Sequence, residues 1–266
     1  MNRQFGLIVV GDEILSGKRL DKHMPKVIEL LAARGLQLAW AEYVGDVPER
    51  ITAALARAFA SGDIVFSTGG IGATPDDHTR QCAAAALGIP LELHPEAETL
   101  IRERMQDTAR EQGTVYDPDR PDNIHRLNMG VFPAGAQIIR NPYNKIPGFS
   151  VADVHFVPGF PVMAWPMIET VLDDRYAPLF ARGQAAEKSV IVFGAMEATL
   201  TPLMLAIEQT HAGVKVFSLP SVDHPEYGRH IELGVKGEST RIEAAYRQLL
   251  EGLHGFDARL GPELVR

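Results

Sequence analysis

Five acidic residues, Asp12, Glu13, Asp46, Asp76 and Asp77, and one run of glycines hold the side chains and amides suited to a phosphorylated ligand. The run is Ser67-Thr68-Gly69-Gly70-Ile71-Gly72-Ala73-Thr74-Pro75-Asp76-Asp77-His78-Thr79. It follows the apolar stretch Asp63-Ile64-Val65-Phe66 and precedes an alanine-rich segment at 81–87. Strand, glycine turn and helix in that order bring backbone N–H groups and a helix N-terminus up to an anion. The carboxylates of Asp76 and Asp77 would repel a bare phosphate and suit one that arrives with a divalent cation. Amides to hold oxygens and carboxylates to hold an ion are what metal-assisted phosphoryl chemistry needs. Each residue also has a plain structural reading: Asp77 as a helix cap, Asp46 and Asp76 as turn residues, Asp12 and Glu13 as loop charges.

The elements that would position these residues alternate. Residues 6–10 form a continuous apolar run, as expected of a central parallel strand. Helical spacing follows at 24–34, with Pro25 in the first turn and Gly35 as the stop. A second strand at 36–44, a helix at 49–61 and a third strand at 63–67 continue the pattern. This β-α-β-α-β-α order predicts an α/β fold, a three-layer α/β/α domain with a mostly parallel sheet. Ligands of such sheets bind beyond the carboxyl ends of the strands. Gly11, Asp12 and Glu13, then Asp46, then the glycine run all follow strand ends, so they are expected to line one edge.

Downstream, a charged surface helix is expected at 96–112, a long polar loop at 113–126, strands at 133–139 and 151–157, and a helix at 162–172. Loops of that length are often functional. Lys145, in the irregular stretch after Asn141, is a candidate to reach a phosphate, although a solvated lysine reads as well. A composition shift at 181–187 marks a linker. The organisation expected is therefore a first domain at 1–180 and a small β-α-β-β-α second domain at 187–266.

Other chemistries are poorly served. The net charge of −8 argues against nucleic-acid binding, and one cysteine, Cys82, suits a reducing compartment and rules out an internal disulfide framework. No apolar run is long enough to span a bilayer and no targeting segment is visible, so a cytoplasmic protein without a membrane partner is expected. No G-x-G-x-x-G follows the first strand and no Gly-Lys-Ser/Thr phosphate loop occurs, which disfavours dinucleotide dehydrogenases and P-loop NTPases. His224, Glu226 and His230 read as a solvated hairpin rather than a metal trio.

The motifs Gly11-Asp12-Glu13-Ile14-Leu15-Ser16-Gly17 and Thr68-Gly69-Gly70-Ile71-Gly72-Ala73-Thr74-Pro75-Asp76-Asp77 resemble the molybdopterin-binding domain family. Val44-Gly45-Asp46, Asn141-Pro142, Pro147-Gly148-Phe149 and Pro158-Gly159-Phe160-Pro161 match in the same order. The likeness is greatest to the N-terminal parts of competence/damage-inducible protein A and of FAD synthases, without an amidase domain. It implies binding of a pterin or a dinucleotide pyrophosphate. It further implies a metal-dependent nucleotide pyrophosphatase acting on ADP-ribose- or FAD-like dinucleotides, with Mg, Mn or Co as cofactor.

Alternatives are molybdopterin binding or adenylyl transfer in molybdenum cofactor biosynthesis, and a non-catalytic pterin or nucleotide carrier. By the resemblance, Asp46 and Asp77 are catalytic; by their own chemistry, Asp76 and Asp77 are expected to hold metal. Gly11, Asp12, Glu13, Ser67, Thr68, Gly69, Gly70, Gly72, Thr74, Lys145, Pro158 and Gly159 bind ligand. A homo-oligomer, dimer or trimer, and a KH-like α+β second domain are also implied. The chain departs from the family pattern at Ala73, where proline is usual, and at Met163, where a glutamate commonly follows the Pro-Gly turn.

Overall fold

Six consecutive apolar or small residues, Phe5–Val10, are all buried, and they form β1, an interior strand of a sheet. The computed structural model describes residues 3–180 and 185–265, whose contacts group into two compact units, Met1–Phe180 and Ala181–Arg266.

In the first unit, β1 leads through the short helix α1 (Asp12–Leu15) to α2 (His23–Ala32), β2 (Leu38–Val44), α3 (Pro48–Ser61), β3 (Ile64–Thr68) and α4 (Thr79–Leu87). Pro48 opens α3 and Gly62, at φ 72°, stops it. Then come β4 (Leu91–Leu93), α5 (Pro95–Glu111), α6 (Pro121–Arg126), β5 (Val131–Pro133), β6 (Gln137–Ile139), β7 (Gly148–Val151), β8 (Val154–Val157) and α7 (Pro161–Arg175). The main sheet runs β2-β1-β3-β8-β7-β6. β2, β1, β3 and β8 are parallel, and β7 and β6 join antiparallel. Helices cover both faces. Ile8, Val10 and Val65 pack with Ile51 and Leu55 of α3 and Ala83 of α4. Leu7, Val9 and Phe66 pack with Val27 and Leu31 of α2 and Ile168 and Leu172 of α7. Each fully buried leucine or isoleucine there contributes roughly 2 kcal/mol. The chain leaves β1 towards β2 on one side and β3 on the other, which makes the carboxyl ends of β1 and β3 a switch point.

Three expectations are corrected. Residues 133–139 are not one strand: β5 pairs with β4 in a separate two-stranded sheet, and Gly135 (φ 77°) turns the chain into β6. The strand expected at 151–157 is the second half of a hairpin, β7 to β8, that reverses at Ala152 (φ 50°). The polar loop at 113–126 ends in α6, opened by Pro121, and a 3-10 turn at Leu127–Gly130.

The second unit contains β9 (Ala185–Phe193), α8 (Glu197–Thr210), β10 (Lys215–His224), β11 (Gly228–Glu238), α9 (Ser239–Leu253) and β12 (Arg259–Val265). Its antiparallel sheet runs β10-β11-β9-β12. Val190, Val192, Leu233 and Val235 pack against Leu200 and Ile207 of α8 and Ile242, Tyr246 and Leu249 of α9. β12 is an added strand at the sheet edge, where Pro262 is tolerated because its pairing skips between Leu260 and Glu263. Residues 185–187 of the expected linker belong to β9, and 181–184 lie outside the described residues.

Candidate functional site

The glycine run crosses directly over the end of β1. Gly69 donates its N–H to the Val157 carbonyl (3.1 Å), fixing the turn to β8. Gly69 and Gly70 sit at φ 96° and 68°, and a side chain on Gly69 would strike the Val10 carbonyl.

Three successive carbonyls then point at the first turn of α4. Thr79 Oγ1 donates to Gly69 O (3.1 Å), Thr79 N–H to Gly70 O (3.0 Å), and Arg80 Nη1 to Ile71 O. In a trans peptide the next N–H points opposite to the carbonyl. The N–H groups of Gly70, Ile71 and Gly72 are therefore turned away from α4. Among the described residues none of the three meets a protein acceptor. All three residues line a cavity of about 390 Å³. Consecutive unpartnered amides of this kind form an anion cradle.

Glu13, Asp46, Asp76 and Asp77 line the same cavity, as do Gly11, Gly69, Thr74, Pro158 and Gly159. Asp12 does not. It sits one step behind, where its N–H donates to Asp46 Oδ2 (2.8 Å) and its Oδ1 accepts from the Asp46 N–H (3.1 Å). That reciprocal clasp ties the end of β1 to the end of β2. Burial raises Asp46 above the ordinary carboxylate value, the N–H of Asp12 opposes this, and the charges of Asp12, Glu13 and Asp76 add to the rise. Asp77 Oδ2 accepts from the N–H of Thr74 (2.8 Å) and from its hydroxyl, which closes the turn over Gly72.

Asp76 and Asp77, the residues expected to hold a cation, both line the cavity. Among the described residues no three His, Cys, Asp or Glu side chains gather as metal ligands, and one Asp77 oxygen is already held by Thr74. Lys145, the candidate to reach a phosphate, is turned to α5. Its Nζ pairs with Asp107 (2.7 Å) and Glu103 (3.5 Å) of α5 and does not line the cavity. Its neighbours Asn141, Asn144 and Ile146 do line it, the loop being held by Asn141 Nδ2 donating to Asn144 Oδ1 (2.8 Å) and Ile146 O (3.0 Å).

A second cavity of about 390 Å³ adjoins the first and shares Val10, Glu13, Arg19, Gly159 and Phe160 with it. Thr68, His23 and Lys22 complete its polar lining. His23 Nε2 donates to Gly159 O (3.0 Å), which leaves Nδ1 buried without a partner among the described residues. The hydroxyls of Thr68 and Ser67 are likewise buried and unpartnered, though Ser67 lines neither cavity. Sequence reasoning missed His23 and Arg80. The signal for Arg80 was a basic residue at the second position of a helix, where the helix dipole disfavours it. It also missed His125 of α6, whose Nε2 meets the Ala73 carbonyl (3.1 Å), and Met129, which lines the first cavity.

A mixed sheet with helices on both faces and an amide cradle at its switch point defines a three-layer α/β protein. The chain belongs to the molybdopterin-binding domain family: the family described as "Probable molybdopterin binding domain" matches residues 6–178. A CinA-like protein of Anaeromyxobacter dehalogenans is 34% identical over 163 residues, 60% of this chain and 38% of that protein. The chain thus spans under two fifths of the length of such curated relatives. A protein of Caldivirga maquilingensis is 28% identical over 258 residues, covering 92% of this chain and 94% of the other. Among solved structures, the protein CinA of unknown function from Thermoplasma acidophilum superposes with a TM-score of 0.55 at 26% identity, covering 65% of this chain and 98% of that one. Among the described residues no helix is long and apolar enough to cross a membrane.

Proposed function

We propose that the first cavity binds a molybdopterin-type ligand, a pterin that carries a phosphate. The observation behind this reading is the row of Gly70, Ile71 and Gly72 N–H groups, turned from α4 and without acceptors among the described residues, beside Glu13, Asp46 and Asp76. The amides suit phosphate oxygens. The carboxylates suit the N–H donors of an amino-pyrimidinone ring. Family membership supports the same ligand class.

Adenylyl transfer is a second reading. It is favoured by the adjoining cavity, whose unpartnered His23 Nδ1 and Thr68 hydroxyl would meet another half of a two-part ligand. A metal-dependent pyrophosphatase has less support, since family membership and the row of amides speak to binding of a ligand and not to its hydrolysis. The chain's own residues hold the phosphate by the cradle amides and hold Asp46 in place through Asp12.

The test is anaerobic titration of the purified protein with molybdopterin released from a molybdenum enzyme. Saturable binding is expected, weakened by at least about tenfold in Gly70→Ala, where the new methyl meets Thr79 and breaks the turn. No binding at about 100 µM ligand would sink the proposal. Incubation with ATP or with ADP-ribose and Mg²⁺ separates the readings, since only transfer yields an adenylylated pterin and only hydrolysis yields AMP.

A further inference from the structure

Arg80 is 4% exposed, yet its single hydrogen bond among the described residues is to the Ile71 carbonyl. No carboxylate stands within ion-pair distance of it there, and Asp77 acts on it only as a neighbouring charge. Arginine does not discharge in proteins, so a full positive charge stands in this largely desolvated place, held to the protein by that one hydrogen bond. A buried charge of this kind is strongly unfavourable unless an anion compensates it. The one bond it makes is placed to matter: it holds the carbonyl whose peptide partner is the Gly72 N–H, the last of the three cradle amides.

We propose that Arg80 is a positioning residue for the amide cradle and makes it selective for anionic over neutral ligands. This rests on the reading that the cradle receives a phosphate, and it does not depend on the ligand being a pterin. Arg80 pulls the Ile71 carbonyl towards α4, so that the Gly72 N–H faces the cavity. Its charge, set behind the loop and not exposed in the cavity, favours an anion at the amides. The same charge is largely desolvated and only partly offset by Asp77, so an apolar side chain of similar length should fold about as well.

The experiment compares two probes on the full chain: inorganic phosphate and 6-hydroxymethylpterin, which has the ring and no phosphate. Both are titrated calorimetrically against wild type, Arg80→Met and Arg80→Lys, with melting temperatures in parallel. The expected result is that Arg80→Met weakens phosphate by at least about tenfold and leaves the pterin within about twofold. Its melting temperature is expected to be unchanged or higher, and Arg80→Lys should recover part of the phosphate affinity. Equal weakening of both probes with a lowered melting temperature would reduce Arg80 to a scaffold residue and overturn the inference. So would unchanged phosphate affinity in Arg80→Met, or absence of phosphate binding to wild type. Phosphate binding that depends on Arg80, with no pterin binding to any variant, would uphold this inference while ending the pterin reading.

Discussion

Asp46 gathers several opposing influences in one side chain. Burial and the charges of Asp12, Glu13 and Asp76 push its carboxyl upward, while the Asp12 N–H stabilises the anion. As pH falls from neutrality towards the carboxylate range, Asp46 therefore takes up a proton ahead of an ordinary aspartate. One negative charge then leaves a cavity whose amides face an anion. Sulfate, a dianion across this range, should bind more tightly as pH falls, by about three- to tenfold between pH 7 and about pH 4.5. Asp46→Asn should already bind sulfate more tightly at pH 7 and lose most of the pH dependence. An undiminished rise in that variant would show that another group titrates. Residues at this level were partly legible in the sequence. Glu13, Asp46, Asp76 and Asp77 meet at one edge because strand ends of a parallel sheet converge, and each lies in a segment that leaves such an end. Lys145 was not legible, because its partner is set by α5, far away in sequence.

The hairpin of β7 and β8 shows what a pattern of apolar residues leaves open. Its turn is made by Ala152 and Asp153, with Ala152 at φ 50° and no glycine or asparagine to mark it, so 151–157 reads as one strand. The same hairpin buries a polar chain. His155 Nδ1 meets Ser150 Oγ (2.8 Å), and its Nε2 meets the Tyr176 hydroxyl (2.7 Å), which donates to Asp153 (2.8 Å), itself paired with Arg3. Burial, joined by the positive charge of Arg175, pushes His155 from 6.5 down to about 3, and Asp153 only partly offsets this. The unfolded chain thus takes a proton near pH 6.5 that the folded chain refuses until about pH 3. The stability this gives is fully present above about pH 6.5 and is lost as pH falls towards 3. Asp153, held below its ordinary value first by Arg3, loses its contribution in the same direction. Urea unfolding at pH 7, 5.5 and 4.5 should show stability falling by a few kcal/mol, with uptake of about one proton on unfolding from this residue. His155→Leu should be less stable at pH 7 and show a flatter slope. An equally steep slope would assign the acid sensitivity elsewhere.

At the level of the whole chain, every residue lining either cavity falls between Val9 and Met163, inside the first unit. That unit also has its own two apolar clusters, one on each face of the sheet, while the second unit has a separate cluster around Leu233 and Leu249. A core that is complete within one unit needs nothing from the other to hold the cradle in place. A chain ending at Phe180 should therefore fold cooperatively and bind sulfate within about twofold of the full chain. The smaller unit, close to the size at which a single core becomes marginal, should melt at lower temperature when expressed alone. Calorimetric melting of the three proteins, with sulfate titration of the two that carry the cradle, decides the matter. If the shortened chain is folded yet binds sulfate more than about tenfold more weakly, the cradle's competence depends on the second unit, and the site is no longer a property of the first.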